Sequence, residues 1–224
     1  MKTLVAILGH QGANATILRH WPFYERSGRD LAGVGRVDKP VSWPQTSSFI
    51  GSFNIGQDGG AGGPNHLERL LNLYKLFLTD LSGLGYTDIC VIEYDGIFLR
   101  PLPDHPGGLA TTVGGYGDGV GFAPCPYFHT PWWVDVETAG AIVEYGERML
   151  GMKIYEGGFV DRWLGLMVEL YKLPWNSFPS FSVNSLDHPV YMKAARDAIA
   201  RGAAYVHGVK TEQQLRELIS PFRA

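Results

Sequence analysis

The sequence predicts an α/β fold, a central sheet flanked by helices. Three observations carry this. Fully apolar runs at Leu4–Leu8 and Ile89–Ile92 read as strands covered on both faces. Segments between and after them show helical periodicity, most clearly from Asn65 to Leu81. The N-terminal order of strand, turn, helix and strand opens a βαβ unit. A chain of 224 residues suffices for one domain with a large core. Hydrophobic residues at 45% and charged residues at 18% exclude a disordered chain. A net charge of −3 offers no phosphate footprint, so nucleic acid is excluded as a partner.

Taken in order, the first strand stops at Gly9-His10-Gln11-Gly12, and Asn14 caps a helix running towards Tyr24. Ser27-Gly28 ends it, and Asp30–Val37 is a second strand. Ser48–Phe53 is a third, inside an irregular stretch rich in proline and glycine. In the helix that follows, Leu67, Leu70, Leu71, Tyr74, Phe77, Leu78 and Leu81 recur at steps of three and four. Pro64 sits near its start, and Gly83 and Gly85 lie at its end. After Ile89–Ile92 come a strand at Leu109–Val113 and helices at Ala139–Leu150 and Phe159–Tyr171. A helix at Val190–Arg201, a short strand at Ala203–Val206 and a helix at Glu212–Ile219, capped by Thr211, complete the chain. No linker divides it. The pattern gives one domain over 1–224.

Cys90 lies in an apolar run, and with Cys125 makes only two cysteines, too few for a disulfide framework or a thiolate zinc site. The N-terminal apolar run is shorter than the core of a signal peptide, and no stretch approaches 18 apolar residues. The expectation is a cytoplasmic protein without a transmembrane segment. The glycine-rich segment 59–63 follows no convincing first strand, which counts against a dinucleotide-binding dehydrogenase. Neither a P-loop nor the Gly-x-Ser-x-Gly of the α/β-hydrolases is present. His20 and His66 lie on helices with no partner at ligand spacing.

The chemistry centres on Val91-Ile92-Glu93-Tyr94-Asp95-Gly96-Ile97-Phe98-Leu99-Arg100-Pro101. Glu93 and Asp95 are two apart, so on an extended chain they share a side. Two carboxylates at a strand end repel and lose solvation, and a divalent cation relieves both costs. Oxygen ligands favour Mg2+ or Mn2+. Downstream, Tyr127, Phe128, Trp132 and Trp133 lie among Pro124, Pro126 and Pro131. Such rings can pack on the C–H faces of a sugar, which makes Trp132 or Trp133 a candidate acceptor platform.

The acidic string resembles the metal-binding strand of glycosyltransferases of the GT-A fold, where an apolar strand ends in Asp-x-Asp. Here Glu93 stands in the first position. The C-terminal His207-Gly208-Val209-Lys210 resembles the His-Gly-x-Lys ending of glycogenin-related families. The long helix carrying Arg69 looks like the one that points a basic residue at the donor. The segment Glu156–Trp163 resembles the acidic helix start that faces the acceptor.

The resemblance implies a single GT-A-like domain with a Rossmann-like mixed sheet, with residues 1–105 binding the nucleotide-sugar donor and 106–224 the carbohydrate-type acceptor. It implies Mn2+ or Mg2+ on Asp95, Glu93 and His207. It further implies donor contacts from His10, Gln11, Arg69, Glu93, Tyr94, Asp95, Gly208 and Lys210. Asp161 and Glu156 are the candidate catalytic carboxylates, and the helix N-terminus is expected to keep Asp161 ionised. Two other readings stay open: a sugar- or nucleotide-binding protein without turnover, and a sugar-phosphate nucleotidyltransferase.

Overall fold

A computed structural model describes residues 2–35, 41–55, 64–119, 122–152 and 160–220. Strands β1 (Thr3–Leu8), β2 (Asp30–Gly35), β3 (Phe49–Asn54) and β4 (Asp88–Glu93) run parallel in the order β3-β2-β1-β4. The sheet continues through β7 (Phe122–Asp135) and β6 (Leu109–Gly119), paired antiparallel, to β8 (Trp175–Ser177) at its edge. The result is a seven-stranded mixed sheet. A second sheet of three strands joins β5 (Ile97–Phe98), β10 (Tyr205–His207) and β9 (Ser180–Ser182).

Alternating side chains of β1 and β4 divide the core. Leu4, Ala6, Ile89 and Val91 face helices α2 (Pro64–Leu76), α3 (Val136–Gly151) and α4 (Val160–Tyr171). Val5, Ile7, Cys90 and Ile92 face α1 (Asn14–Tyr24) and the small sheet. Helices α5 (Pro189–Ala200) and α6 (Glu212–Ile219) close over the small sheet through Met192, Leu215 and Leu218. Each aliphatic side chain so buried contributes about 1.5–3 kcal/mol. Among the described residues, no helix is long and apolar enough to cross a membrane.

Several elements depart from the sequence expectation. The long helix is α-helical only to Leu76. Over Phe77–Leu81 it widens by one residue per turn, and Gly85 ends it at φ +85°. Thr79 and Ser82 hydroxyls donate to the Lys75 and Leu78 carbonyls there, as back-bonding hydroxyls do where helices distort. The proline-rich stretch read as an aromatic surface is the longest strand, β7. Its register against β6 shifts at three places, and such irregularities tolerate the missing proline N–H groups. The strand foreseen at Ala203–Val206 is placed at Tyr205–His207, so His207 is a strand residue. β8 and β9 have three residues each and no apolar run to announce them.

Candidate functional site

The site forms where β4 leaves the large sheet. The Tyr94 N–H donates to the Leu8 carbonyl, extending the β1–β4 ladder past Glu93. The Gly96 N–H then donates to the Glu93 carbonyl, closing a turn that buries Asp95. β5 follows at once and pairs with β10, with Tyr205 opposite Phe98 and Val206 opposite Ile97. The Val209 N–H donates to the Asp95 carbonyl at 2.9 Å. Antiparallel register therefore carries His207 to the acidic turn from a segment more than a hundred residues away.

His207 Nε2 lies 2.7 Å from Glu93 Oε2 and 3.0 Å from Asp95 Oδ1. Its Nδ1 lies 2.8 Å from Ser182 Oγ. A single Nε2–H shared between two carboxylates aligns poorly with one of them, and Asp95 Oδ1 is left buried beside Nε2 without a well-directed hydrogen bond. Burial disfavours charge on His207, but hydrogen bonds and attraction from Asp95 and Glu93 outweigh it and push its pKa to about 10. Burial likewise opposes the Asp95 anion, yet His207 and Lys210 together hold its carboxyl below the usual range. The metal-free cluster thus carries a proton on His207 as its internal cation.

The ligand atoms of Glu93, Asp95 and His207 lie within 4.8 Å of one another. Two carboxylate oxygens and an imidazole nitrogen so placed could hold a divalent metal ion, which would also give the Asp95 oxygen a partner. Gly208 turns the chain at φ +95°, and a Cβ there would lie 2.5 Å from the Val183 carbonyl oxygen, so only glycine fits. Lys210 is exposed, its carbonyl accepts from Arg19 Nη1, and its N–H donates to Gln214 Oε1. His10 is exposed at the end of β1, its ring edge-on to Tyr94 at 4.7 Å, with Gln11 beside it.

Asp161 stands in the first turn of α4, where Glu93 and His207 act on it electrostatically. Contrary to the sequence expectation, its carboxyl is shifted up. Burial opposes the anion more than the backbone N–H and the nearby histidines favour it. Arg69 is half-buried on α2, on the face of the sheet opposite β10. Glu156 lies outside the described residues.

The two tryptophans correct the sequence reading. Trp133 is fully buried and donates from Nε1 to Asp88 Oδ1 at 2.6 Å. Trp132 is 5% exposed, points to the other face of the sheet and donates to the Phe128 carbonyl. Both rings belong to the core and offer no face to a sugar.

Sequence reasoning missed Ser182 and His129, and gave no role to His20, which it set aside as partnerless, or to Tyr24. The last two are one helical turn apart on α1, and both reach the Tyr94 carbonyl: His20 Nδ1 at 3.3 Å and the Tyr24 hydroxyl. Their i, i+4 spacing is legible, but the target is not. Burial lowers the pKa of His20 to about 4, so it stays neutral and donates from Nδ1. The sequence matches no protein-family model and no curated protein.

Proposed function

We propose that this protein transfers a sugar from a nucleoside-diphosphate donor to an acceptor hydroxyl, in the manner of a GT-A-fold glycosyltransferase. The observation carrying this is the Asp95–His207–Glu93 cluster at the carboxyl end of parallel strands, its Asp95 and His207 buried and its Glu93 half-exposed, with one carboxylate oxygen lacking a well-directed hydrogen bond. In open α/β sheets that end is where ligands bind.

Asp95, Glu93 and His207 would hold Mg2+ or Mn2+, which when bound supplies positive charge to a diphosphate leaving group. Lys210 adds a second charge from the rim. Gly208 lets the backbone come close to phosphate, and His10, Gln11 and Tyr94 line the end of β1 for the nucleoside. Asp161 takes the proton of the acceptor hydroxyl, a role for which a raised carboxyl pKa suits it. A carbohydrate is the acceptor class the sequence resemblance suggests.

Thermal melting with UDP or GDP, with and without Mn2+, tests the donor site. Stabilisation that needs both nucleotide and metal supports it, and no stabilisation by any nucleoside diphosphate would sink it. Hydrolysis of a panel of sugar nucleotides then separates an enzyme from a binder without turnover, the alternative that Glu93 in the first acidic position leaves open.

A further inference from the structure

Helix α4 lies flush against β7. A Cβ on Gly165 would fall 1.9 Å from the Pro126 carbonyl oxygen, and the Arg162 guanidinium stacks over the Tyr127 ring at 4.8 Å. This contact fixes the first turn of α4 against the strand. It brings Asp161 Oδ2 to 3.9 Å from His129 Nδ1. Both side chains are about one quarter exposed, Asp161 at 25% and His129 at 22%. The strand position is itself rigid: the Thr111 hydroxyl donates to the His129 carbonyl at 2.8 Å.

Three of the described pairs, Arg148–Glu144, Lys193–Asp197 and Arg216–Glu212, are of another kind, exposed and one turn apart on a single helix; His105–Asp135, at 3.9 Å, resembles the Asp161 pair in joining separate segments. Asp161 and His129 join two elements, are largely desolvated, and sit beside the cation cluster without entering it. The charged groups acting on His129 are Asp161 from α4, Glu93 from β4 and His207 from β10. Those acting on Asp161 are His129, Glu93 and His207, besides its own backbone N–H. Burial pushes the His129 pKa down, and Asp161 is the first of the groups that push it back up. A separation of 3.9 Å leaves the carboxylate open to a second donor, and such contacts commonly shorten when substrate binds.

We propose that His129 is a positioning residue for Asp161, its Nδ1 side orienting the carboxylate that receives the acceptor proton. The role given to that proton rests on the transferase reading; the pairing does not. In the step served, the acceptor oxygen bonds to the anomeric carbon. The bond from that carbon to the diphosphate oxygen breaks, its electron pair leaving with the diphosphate. The hydroxyl proton passes to Asp161 and then to solvent.

Ring-nitrogen NMR of the seven histidines in EDTA tests the pairing without any substrate. The signal lost in His129→Asn identifies the residue. In Asp161→Asn the His129 midpoint should fall, its proton affinity dropping by about tenfold or more. A midpoint unchanged from wild type overturns the proposal. With a turned-over donor, His129→Ala should lower kcat by about a hundredfold and leave the donor KM unchanged. His129→Asn, which keeps a donor near the Nδ1 position, should recover part of that loss. Equal kcat in wild type and His129→Ala would overturn the positioning role. Wild type without turnover on any donor, but with the NMR coupling intact, overturns the transferase reading and leaves the pair standing.

Discussion

The Tyr205 hydroxyl occupies the space that a side chain at Gly96 would need: a Cβ there would lie 1.9 Å from it. Tyr205 is fully buried, and its hydroxyl also meets Thr130 Oγ1 at 3.1 Å. Gly96 follows Asp95, and Tyr205 precedes His207 by two residues, so this one contact sets how closely β10 approaches the acidic turn. Gly96→Ala should cost about 1–3 kcal/mol in urea denaturation, as overpacking of a rigid core does. It should also weaken any stabilisation by Mn2+. Wild-type stability and metal response in that variant would show that the contact does not govern the cluster.

The charge on His207 makes metal-free stability depend on pH. Its folded pKa of about 10 exceeds the unfolded value of 6.5. The stabilisation it adds is therefore present in full below pH 6.5 and is lost as pH rises towards 10. Melting in EDTA should fall by several degrees between pH 7 and 10, and His207→Gln should flatten that slope. Since a ligating imidazole must be neutral, Mg2+ should stabilise the protein more at pH 8.5 than at pH 6.5. A slope identical in wild type and variant would contradict the assignment.

His20 titrates the other way. Its folded pKa of about 4 lies below the unfolded 6.5, so stability present above pH 6.5 is lost as pH falls towards 4. The loss is about 3 kcal/mol in all. His20→Gln should remove most of this acid dependence, read by urea denaturation at pH 7 and pH 5. Tyr24→Phe, which deletes the other donor to the Tyr94 carbonyl, should cost about 1 kcal/mol at either pH.

Trp133→Phe leaves the buried Asp88 carboxylate without its indole partner; the remaining described donor is the Thr87 hydroxyl. It should destabilise the fold by about 1.5–3 kcal/mol while leaving the response to nucleotide and metal intact. A changed nucleotide response with unchanged stability would return the ring to the site.

The strands β1 and β4 and the helices were legible because burial on both faces leaves unbroken apolar runs, and half-burial leaves a helical period. The capping box on α6, where Thr211 Oγ1 accepts from the Gln214 N–H, was legible for the same local reason. β7 was hidden because Pro126 and Pro131 argue against a strand; Pro131 falls where the register with β6 shifts, while Pro126 keeps its place opposite Tyr116. Trp132 and Trp133 looked like a surface because a sequence shows aromatic rings but not what covers them. His207 was found through its neighbours Gly208 and Lys210. Ser182 and His129 carry no local mark: each matters only because a strand pairing or a helix contact brings it to a residue far along the chain.

Asp95, Glu93 and His207 are proposed to hold a divalent cation that serves a nucleoside diphosphate. Titration calorimetry of Mn2+ into the protein with saturating UDP or GDP, beside Asp95→Asn, tests this. One metal bound per chain in wild type, and at least tenfold weaker binding in the variant, is the result expected. Equal binding by both, or no metal binding with either nucleotide, would contradict it.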